Sequence, residues 1–396
     1  MRIGIDCRLW NESGVGRYIR NLVERLLILD KRNQYVLFVL TKDENEMLKQ
    51  VQHDKKEVQN DRDQVRNENV KIVVADVCWH SFEEQLRFPS ILNRENLDLV
   101  HFPYVSVPIF YNKPFVVTIH DLIPYHFPTG EASTLPLPLY KLKLLGYKFV
   151  IQQAAKKATK IITVSNATKR EIVEHLKVPE GKVVVTHEGV EDNLSSKLKA
   201  QSSKPQLKTK SYFLYVGNAY PHKNLNRLIE AFDLLCHSSQ APPDQDDMKL
   251  VLVGRVDYFY KRLRQKVKDM GLERSVLFYG EATDGELSAL YKNALALITP
   301  SLMEGFGLPA LEAMANRCLV LSSDIPSFKE ICGDAAIYFD PYDITDMAKK
   351  MIDTYHSNDS NHYRDKIKKG FNRAKMFSWE KMAKETLKIY GSCINL

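Results

Sequence analysis

Thr299-Pro300-Ser301-Leu302-Met303-Glu304-Gly305-Phe306-Gly307-Leu308-Pro309-Ala310-Leu311-Glu312 is the stretch whose reading decides the fold. The run before it, Ala294 to Thr299, is short and apolar, as a strand buried on both faces is, and Leu311, Ala313, Met314 and Ala315 resume at helical spacing. Gly305 and Gly307 lie in the loop between them. Glycine lets backbone N–H groups approach a ligand closely, and Pro309 suits a first helical turn. The amides from Phe306 through Gly307 and Leu308 to Ala310 are therefore expected to face a ligand, and a helix N-terminus of this kind favours an anion. Two carboxylates, Glu304 and Glu312, flank the glycines with seven residues between them. Sugar and ribose hydroxyls are donors that pair well with charged acceptors, so an anion hole with two hydroxyl hooks fits a nucleotide sugar. The plainer alternative makes Glu304 a cap on the helix dipole and Glu312 a solvated helix residue.

This stretch resembles the E-x7-E motif of retaining glycosyltransferases of the GT-B fold, family 4, of the bacterial mannosyltransferase kind that builds surface polysaccharides. The resemblance extends to Gly280-Glu281-Ala282-Thr283-Asp284 and Tyr291 on one side. On the other it takes in Val320-Leu321-Ser322-Ser323, Glu330, Gly333-Asp334-Ala335-Ala336 and Phe339-Asp340-Pro341. It departs at Asn316-Arg317-Cys318-Leu319, where the family usually has a glycine and then a proline. The resemblance implies an α/β protein of two Rossmann-like domains, their parallel sheets facing across a cleft, with a C-terminal helix crossing back to the first domain near Phe377.

At 396 residues the prior is two or three domains, and 44% hydrophobic with 27% charged residues is an ordinary globular composition. Six cysteines, Cys7, Cys78, Cys236, Cys318, Cys332 and Cys393, form no C-x-x-C pair, which speaks against a disulfide framework or a zinc site. Met1-Arg2-Ile3-Gly4-Ile5-Asp6 goes straight into a strand, so no signal peptide is expected, and no run of about eighteen apolar residues is present. A cytoplasmic protein is expected. A net charge of +7 suits anionic partners such as nucleotide phosphates or acidic lipid, and the interspersion of Lys with Glu argues against nucleic acid.

Taken in order, Ile3 to Asp6 is a first strand, and Asn11 to Tyr18, with Gly14 and Gly16, is a glycine turn feeding a helix that presents Ile19, Leu22, Val23, Leu26 and Leu27. A dinucleotide fingerprint needs a third glycine where Ile19 stands. Tyr35–Leu40, Val70–Ala75, Leu97–Phe102 and Phe115–Ile119 continue the sheet. Lys42 to Glu68 is almost wholly charged or amide and is expected to be an exposed helix-loop insertion without function. His120 ends a parallel strand, where α/β sheets place ligands, and its neutral imidazole is expected to meet a sugar hydroxyl or its own loop. Residues 135–160 alternate leucines with lysines. Two readings stand: a basic amphipathic helix on an anionic membrane at the inner face, or an ordinary packed helix with a solvated lysine face. Ser165 is placed to cap a helix, and 193–210 is Ser/Lys/Gln-rich and reads as a linker. The first domain then spans 1–192, completed by 378–396, and the second spans 211–377. In the second, Tyr212–Val216 leads through Asn218 to Lys223, a cation at a helix start and so unfavourable unless an anion lies beside it. Arg255, after the strand Leu250–Gly254, is a further cation, and Asp244–Asp247 reads as a solvated acidic cluster.

The resemblance implies roles for these residues. Lys223 would reach the donor pyrophosphate, Asn218 standing where the family often has an arginine. Gly14 and Gly16 would lie beside the donor phosphates, His120 would face the transferred sugar, Glu304 would hold its hydroxyls and Glu312 the ribose. The reaction implied moves a hexose, with GDP-mannose as the expected donor and UDP-glucose or a UDP-hexosamine as the alternative, to a glycan or lipid-linked acceptor. No metal and no resident cofactor is expected, since Lys223, Arg255 and helix dipoles supply the positive field. No side chain stands out as a covalent nucleophile, which favours a same-face transfer with retention. Two other classes stay open: a nicotinamide-dependent oxidoreductase using the first glycine loop, and a non-catalytic sugar-nucleotide-binding protein.

Overall fold

The apolar runs become strands paired in parallel in two separate sheets, each buried deeply enough to carry almost no polar alternation. The computed structural model describes residues 1–12, 14–57, 69–131, 133, 135–190, 210–238, 248–357 and 360–394. The linker expected at 193–210 falls outside these residues apart from Lys210, as do residues 58–68 of the charged insertion and Asp244–Asp247.

The chain divides into two compact units, one of Met1–Gly130, Leu135–Glu188 and Trp379–Leu396, the other of Glu131–Thr134 and Gly189–Ser378. The limits expected from sequence shift by a few residues. Val190 donates to the Phe377 carbonyl and bridges Ser378, so Gly189, Val190 and Ser378 belong to the second unit.

In the first unit the strands are β1 (Arg2–Asp6), β2 (Gln34–Val39), β3 (Val70–Val74), β4 (Leu99–Phe102), β5 (Phe115–Ile119), β6 (Lys160–Thr163) and β7 (Val183–Val185). They lie in the order β3-β2-β1-β4-β5-β6-β7. Val36, Phe38, Val100, Phe102, Val117 and Ile119 fill one side of this sheet against Phe88, Leu92 and Ile151. The last helix, Trp379–Ile394, packs on the helix Gly14–Leu29, so the C-terminal segment completes this unit. The charged insertion begins as a helix, Thr41–Glu57, that is not wholly solvated: Met47 is buried, and Asp43 accepts a 2.7 Å hydrogen bond from Asn11 in the glycine loop.

In the second unit β8 (Tyr212–Val216), β9 (Lys249–Val253), β10 (Val276–Gly280), β11 (Ala296–Thr299), β12 (Val320–Ser323) and β13 (Ile337–Phe339) lie in the order β10-β9-β8-β11-β12-β13. Phe213, Leu250, Leu252, Ile298 and Leu321 pack under Leu228, Ile229, Phe232 and Met351. The chain runs outward from β8 to β10 and then returns to start again at β11. Sheets of this kind hold ligands outside the carboxyl ends of the strands where that order reverses.

Candidate functional site

In the second unit the reversal point lies between β8 and β11, and two of the sequence-derived residues meet there. Lys223 comes from the loop after β8 and Glu304 from the loop after β11; Nζ and Oε1 are 2.6 Å apart, the side chains 18% and 16% exposed. Ser301 donates to the same carboxylate oxygen at 2.7 Å. Burial pushes the Glu304 carboxyl up, but Lys223, His222 and the Ser301 hydroxyl outweigh it and hold the group below the usual glutamate range. His222 goes the other way: burial, reinforced by Lys223 against the opposing pull of Glu304, brings it down to about 4, so it is neutral near pH 7.

The local backbone explains the meeting. Pro221–Lys223 is a single tight turn, and Asn224 closes it in the left-handed region at φ 61° before the helix Leu225–His237 begins. The Asn224 amide donates to the carbonyls of Pro300, at 3.0 Å, and Pro341, at 2.8 Å, so one side chain ties together the loops after β8, β11 and β13. The anion that offsets the charge of Lys223 at this helix start is Glu304 itself.

Glu304 does not cap the helix that follows. That helix runs from Leu308 to Ala315, and its cap residue is Gly307, at φ 104°. A Cβ at Gly307 would stand 2.5 Å from Cε1 of Phe328, so both the conformation and the space demand glycine. Glu312 is not solvated either: it is 5% exposed, and the Tyr291 hydroxyl donates to it at 2.9 Å. The expectation for the loop amides needs correction. Ala310 N–H is taken by the Gly307 carbonyl at 3.0 Å and Pro309 has none, which leaves Gly307 and Leu308 as donors without an acceptor among the described residues. Phe306 is buried, its ring edge-on to Phe377.

Asn218 is engaged within its own turn: its carbonyl accepts from the Tyr215 hydroxyl at 2.6 Å and its side chain from Tyr220 N–H at 3.4 Å. Arg255 follows β9, the neighbour of β8, and is exposed with no acidic partner among the described residues. No group of three or more His, Cys, Asp or Glu among the described residues is gathered to hold a metal ion.

In the first unit His120 leaves the end of β5 with both ring nitrogens engaged. Nε2 lies 2.9 Å from the Pro103 carbonyl just past β4, and Nδ1 lies 3.5 Å from Oε1 of the buried Glu188. Its ring meets Tyr18 edge-on at 4.8 Å between centroids. Burial alone lowers the imidazole pKa, but Glu188, the Pro103 carbonyl and Asp121 outweigh it and the net shift is upward. These surroundings favour the imidazolium more than water does for a free histidine. Behind it runs a buried polar chain. Tyr18 Oη meets Thr118 Oγ1 at 3.3 Å, Thr118 Oγ1 meets His101 Nε2 at 2.8 Å, and His101 Nδ1 meets Tyr390 Oη at 2.6 Å. Desolvation, with a smaller contribution from His120, brings His101 down to about 3.

The sign of the His120 shift gives a pH test. A group whose folded pKa exceeds its unfolded value contributes stability that is complete below the unfolded pKa, about 6.5, and is lost as pH rises through the folded value. Glu188→Gln removes the partner, so the difference in Tm between the native protein and this variant is expected to be larger at pH 5.5 than at pH 8.5. An equal difference at both pH values would show that Glu188 does not raise the His120 pKa.

Gly14 and Gly16 behave differently. A Cβ on Gly14 meets nothing within 4 Å, whereas one on Gly16 would press into the backbone of Trp10 and lie 2.8 Å from the Leu9 carbonyl. Gly16→Ala is therefore expected to lower Tm by several degrees, on the order of 1–3 kcal/mol of overpacking. Gly14→Ala is expected to leave Tm unchanged, and a parallel thermal melt of the two variants measures this.

Sequence reasoning did not single out Glu188, His222, Ser301 or Asn224 as parts of these sites. Glu188 carried a legible signal, a carboxylate directly before the glycine that follows the last strand of the unit. Tyr291 was visible only as part of a wider likeness.

Two family profiles match the chain: "Glycosyltransferase Family 4" over residues 13–194 and "Glycosyl transferases group 1" over residues 197–373. O-antigen chain mannosyltransferase RfbU of Salmonella typhimurium is 30% identical over 266 residues, 67% of each protein. Serotype-specific mannosyltransferase WbdA of Escherichia coli is 30% identical over 291 residues, 70% of this chain and 34% of that one, so the chain spans about a third of its length. Among solved structures, Anabaena HepE in complex with UDP and glucose superposes with a TM-score of 0.73 at 16% identity, covering 99% of this chain and 100% of its own. The glycosyltransferase WaaG of lipopolysaccharide biosynthesis gives 0.69 at 14%, covering 98% and 99%. These likenesses show the GT-B fold.

Proposed function

The chain belongs to the family 4 glycosyltransferases, and from that premise we propose that it moves mannose from GDP-mannose, with retention of anomeric configuration, to a hydroxyl of a glycan or lipid-linked glycan acceptor at the cytoplasmic side. The observation that carries the donor site is the meeting of Lys223 with Glu304 where the strand order reverses, with Glu312 held by Tyr291 close by in sequence. Mannose as the sugar is supported by the relatives RfbU and WbdA, which are named as mannosyltransferases.

The chemistry asks for charge control. The leaving nucleoside diphosphate gains negative charge while the sugar takes on oxocarbenium character. Lys223 has three N–H donors, of which Glu304 engages one, leaving two for a diphosphate oxygen. The amides of Gly307 and Leu308, at a helix N-terminus, and the exposed Arg255 add to the same field, so the reading needs no metal. Glu304, kept ionised by its partners, accepts from sugar hydroxyls, and Glu312 accepts from the ribose. No covalent nucleophile is required if the departing phosphate oxygen receives the acceptor proton.

Thermal-shift titration tests the donor without an acceptor. A nucleotide at a hundredfold excess over Kd stabilises the folded state by about 2.7 kcal/mol, which is several degrees in Tm. Shifts with GDP and GDP-mannose that vanish in Glu312→Ala are expected. A response to UDP and UDP-glucose alone would replace the donor and keep the enzyme class, and a response only to NADH would reject the donor site. The anomeric configuration of the product, read by NMR, tests retention.

A further inference from the structure

Tyr291 and Glu312 stand on two helices of the second unit that meet through a pair of polar contacts. The helix Asp284–Asn293 starts in a reciprocal cap: Thr283 Oγ1 accepts from Glu286 N–H at 3.3 Å, and Thr283 N–H donates to Glu286 Oε2 at 2.8 Å. A cap of this kind fixes the first turn, and with it the direction of the face that follows. Ser288 and Tyr291, three residues apart, share that face. Glu312 and Asn316, one turn apart at the end of the helix Leu308–Ala315, share the face opposite. The Tyr291 hydroxyl donates to Oε2 of Glu312 at 2.9 Å, and the Ser288 hydroxyl donates to Oδ1 of Asn316 at 2.7 Å. All four residues are buried.

The two contacts differ in what they grip. Asn316, in the segment that departs from the family pattern, passes its amide back to the main-chain carbonyl of Glu312 at 2.9 Å, so the Ser288 contact holds backbone. Tyr291 holds the carboxylate itself. A glutamate side chain can turn about several bonds, whereas a phenol carries its oxygen at the end of a rigid ring. A donor fixed on one carboxylate oxygen therefore decides where the remaining acceptor positions aim.

We propose that Tyr291 is the positioning residue for ribose recognition: its hydroxyl aims the Glu312 carboxylate at a ribose hydroxyl of the donor nucleotide, and the preference for a ribose over a deoxyribose donor depends on that aim. The inference rests on the reading of Glu312 as the ribose acceptor. Replacing the phenol by a phenyl ring keeps the packing and removes the anchor. A hydrogen bond to a carboxylate weakens steeply when misaligned, so the ribose hydroxyl loses most of its partner. The diphosphate end is assigned to Lys223, on the loop after β8, and does not pass through this contact.

Thermal-shift titration of the full chain with GDP and UDP, and with the 2′-deoxy and 3′-deoxy forms of each, tests it through the ratio of dissociation constants. The native protein is expected to bind one deoxy form at least about tenfold more weakly than the parent nucleotide, and Tyr291→Phe is expected to bring that ratio below about threefold. The loss should fall on the parent nucleotide and leave the deoxy form nearly unchanged. Ser288→Ala breaks the neighbouring contact without touching the carboxylate, and it is expected to lower Tm and keep the native ratio. A native ratio retained in Tyr291→Phe, or lost equally in Ser288→Ala, overturns the proposal and leaves the ribose reading of Glu312 in place. A native protein that responds equally to the parent and both deoxy forms, or to none of them, overturns that reading and the proposal with it.

Discussion

Lys223→Met is expected to lower kcat/KM for hexose transfer about 10²–10³-fold, the usual loss when a preorganised group facing developing charge is removed. The same change should cost the second unit on the order of 3 kcal/mol, because truncating one partner of a buried ion pair leaves the other uncompensated. Glu304 would keep the Ser301 hydroxyl and lose the cation that holds its carboxyl down. That corresponds to a fall of about 5–10 °C in Tm. Stability and catalysis can be separated by the double variant Lys223→Met/Glu304→Gln, in which no charge is stranded. Its Tm is expected to return most of the way to that of the native protein while transfer stays lost. Transfer by Lys223→Met within about threefold of the native rate would mean that Lys223 does not face the leaving diphosphate.

Gly307→Ala is expected to be comparably damaging by a different route. An alanine at φ 104° is strained by about 1–2 kcal/mol, and its methyl group would press on Phe328 at 2.5 and 2.9 Å, adding about 1–3 kcal/mol of overpacking. Relief of either strain rotates the turn that aims the Gly307 and Leu308 amides, so the loss of nucleotide-induced stabilisation should exceed the loss of intrinsic stability. Adding Phe328→Leu should recover the steric part of the Tm and leave the backbone part. If Gly307→Ala retains the full thermal response to nucleotide, the turn is structural and the anion site lies elsewhere.

What could be read from sequence follows the range over which each signal acts. Strands such as Phe115–Ile119 and Tyr212–Val216 announce themselves by dense runs of aromatic and aliphatic residues, and the Glu304–Glu312 loop by glycines and a proline within a few residues of one another. The pairing of Glu188 with His120, 68 residues earlier, is set by where two strands end in a sheet, and no local spacing records that. The same holds for Lys223 and Glu304, which were legible singly as a cation and an acceptor and not as one ion pair. The amide count failed because a helix start spends its own first carbonyl, that of Gly307, on Ala310. Arg317, in the segment that departs from the family pattern, takes φ 57°, a conformation natural to glycine, and its guanidinium lies 3.9 Å over the Phe371 ring. The helix Leu137–Lys157, where leucines alternate with lysines, was ambiguous for a different reason: leucine periodicity tells which way residues point, and only the fold tells whether anything lies there.

The two hydrogen bonds from Asn224 to the carbonyls of Pro300 and Pro341 have an evolutionary corollary. They rivet three loops that are far apart in sequence into one mechanical part, and proline at both acceptors stiffens the backbone each bond grips. On the proposed donor reading, a substitution in one loop that makes room for a different sugar is transmitted to the other two. Donor preference should then be inherited as a cassette, and chimaeras between relatives should succeed when the segments around 217–224, 300–312 and 339–342 travel together and misfold locally when one is exchanged alone.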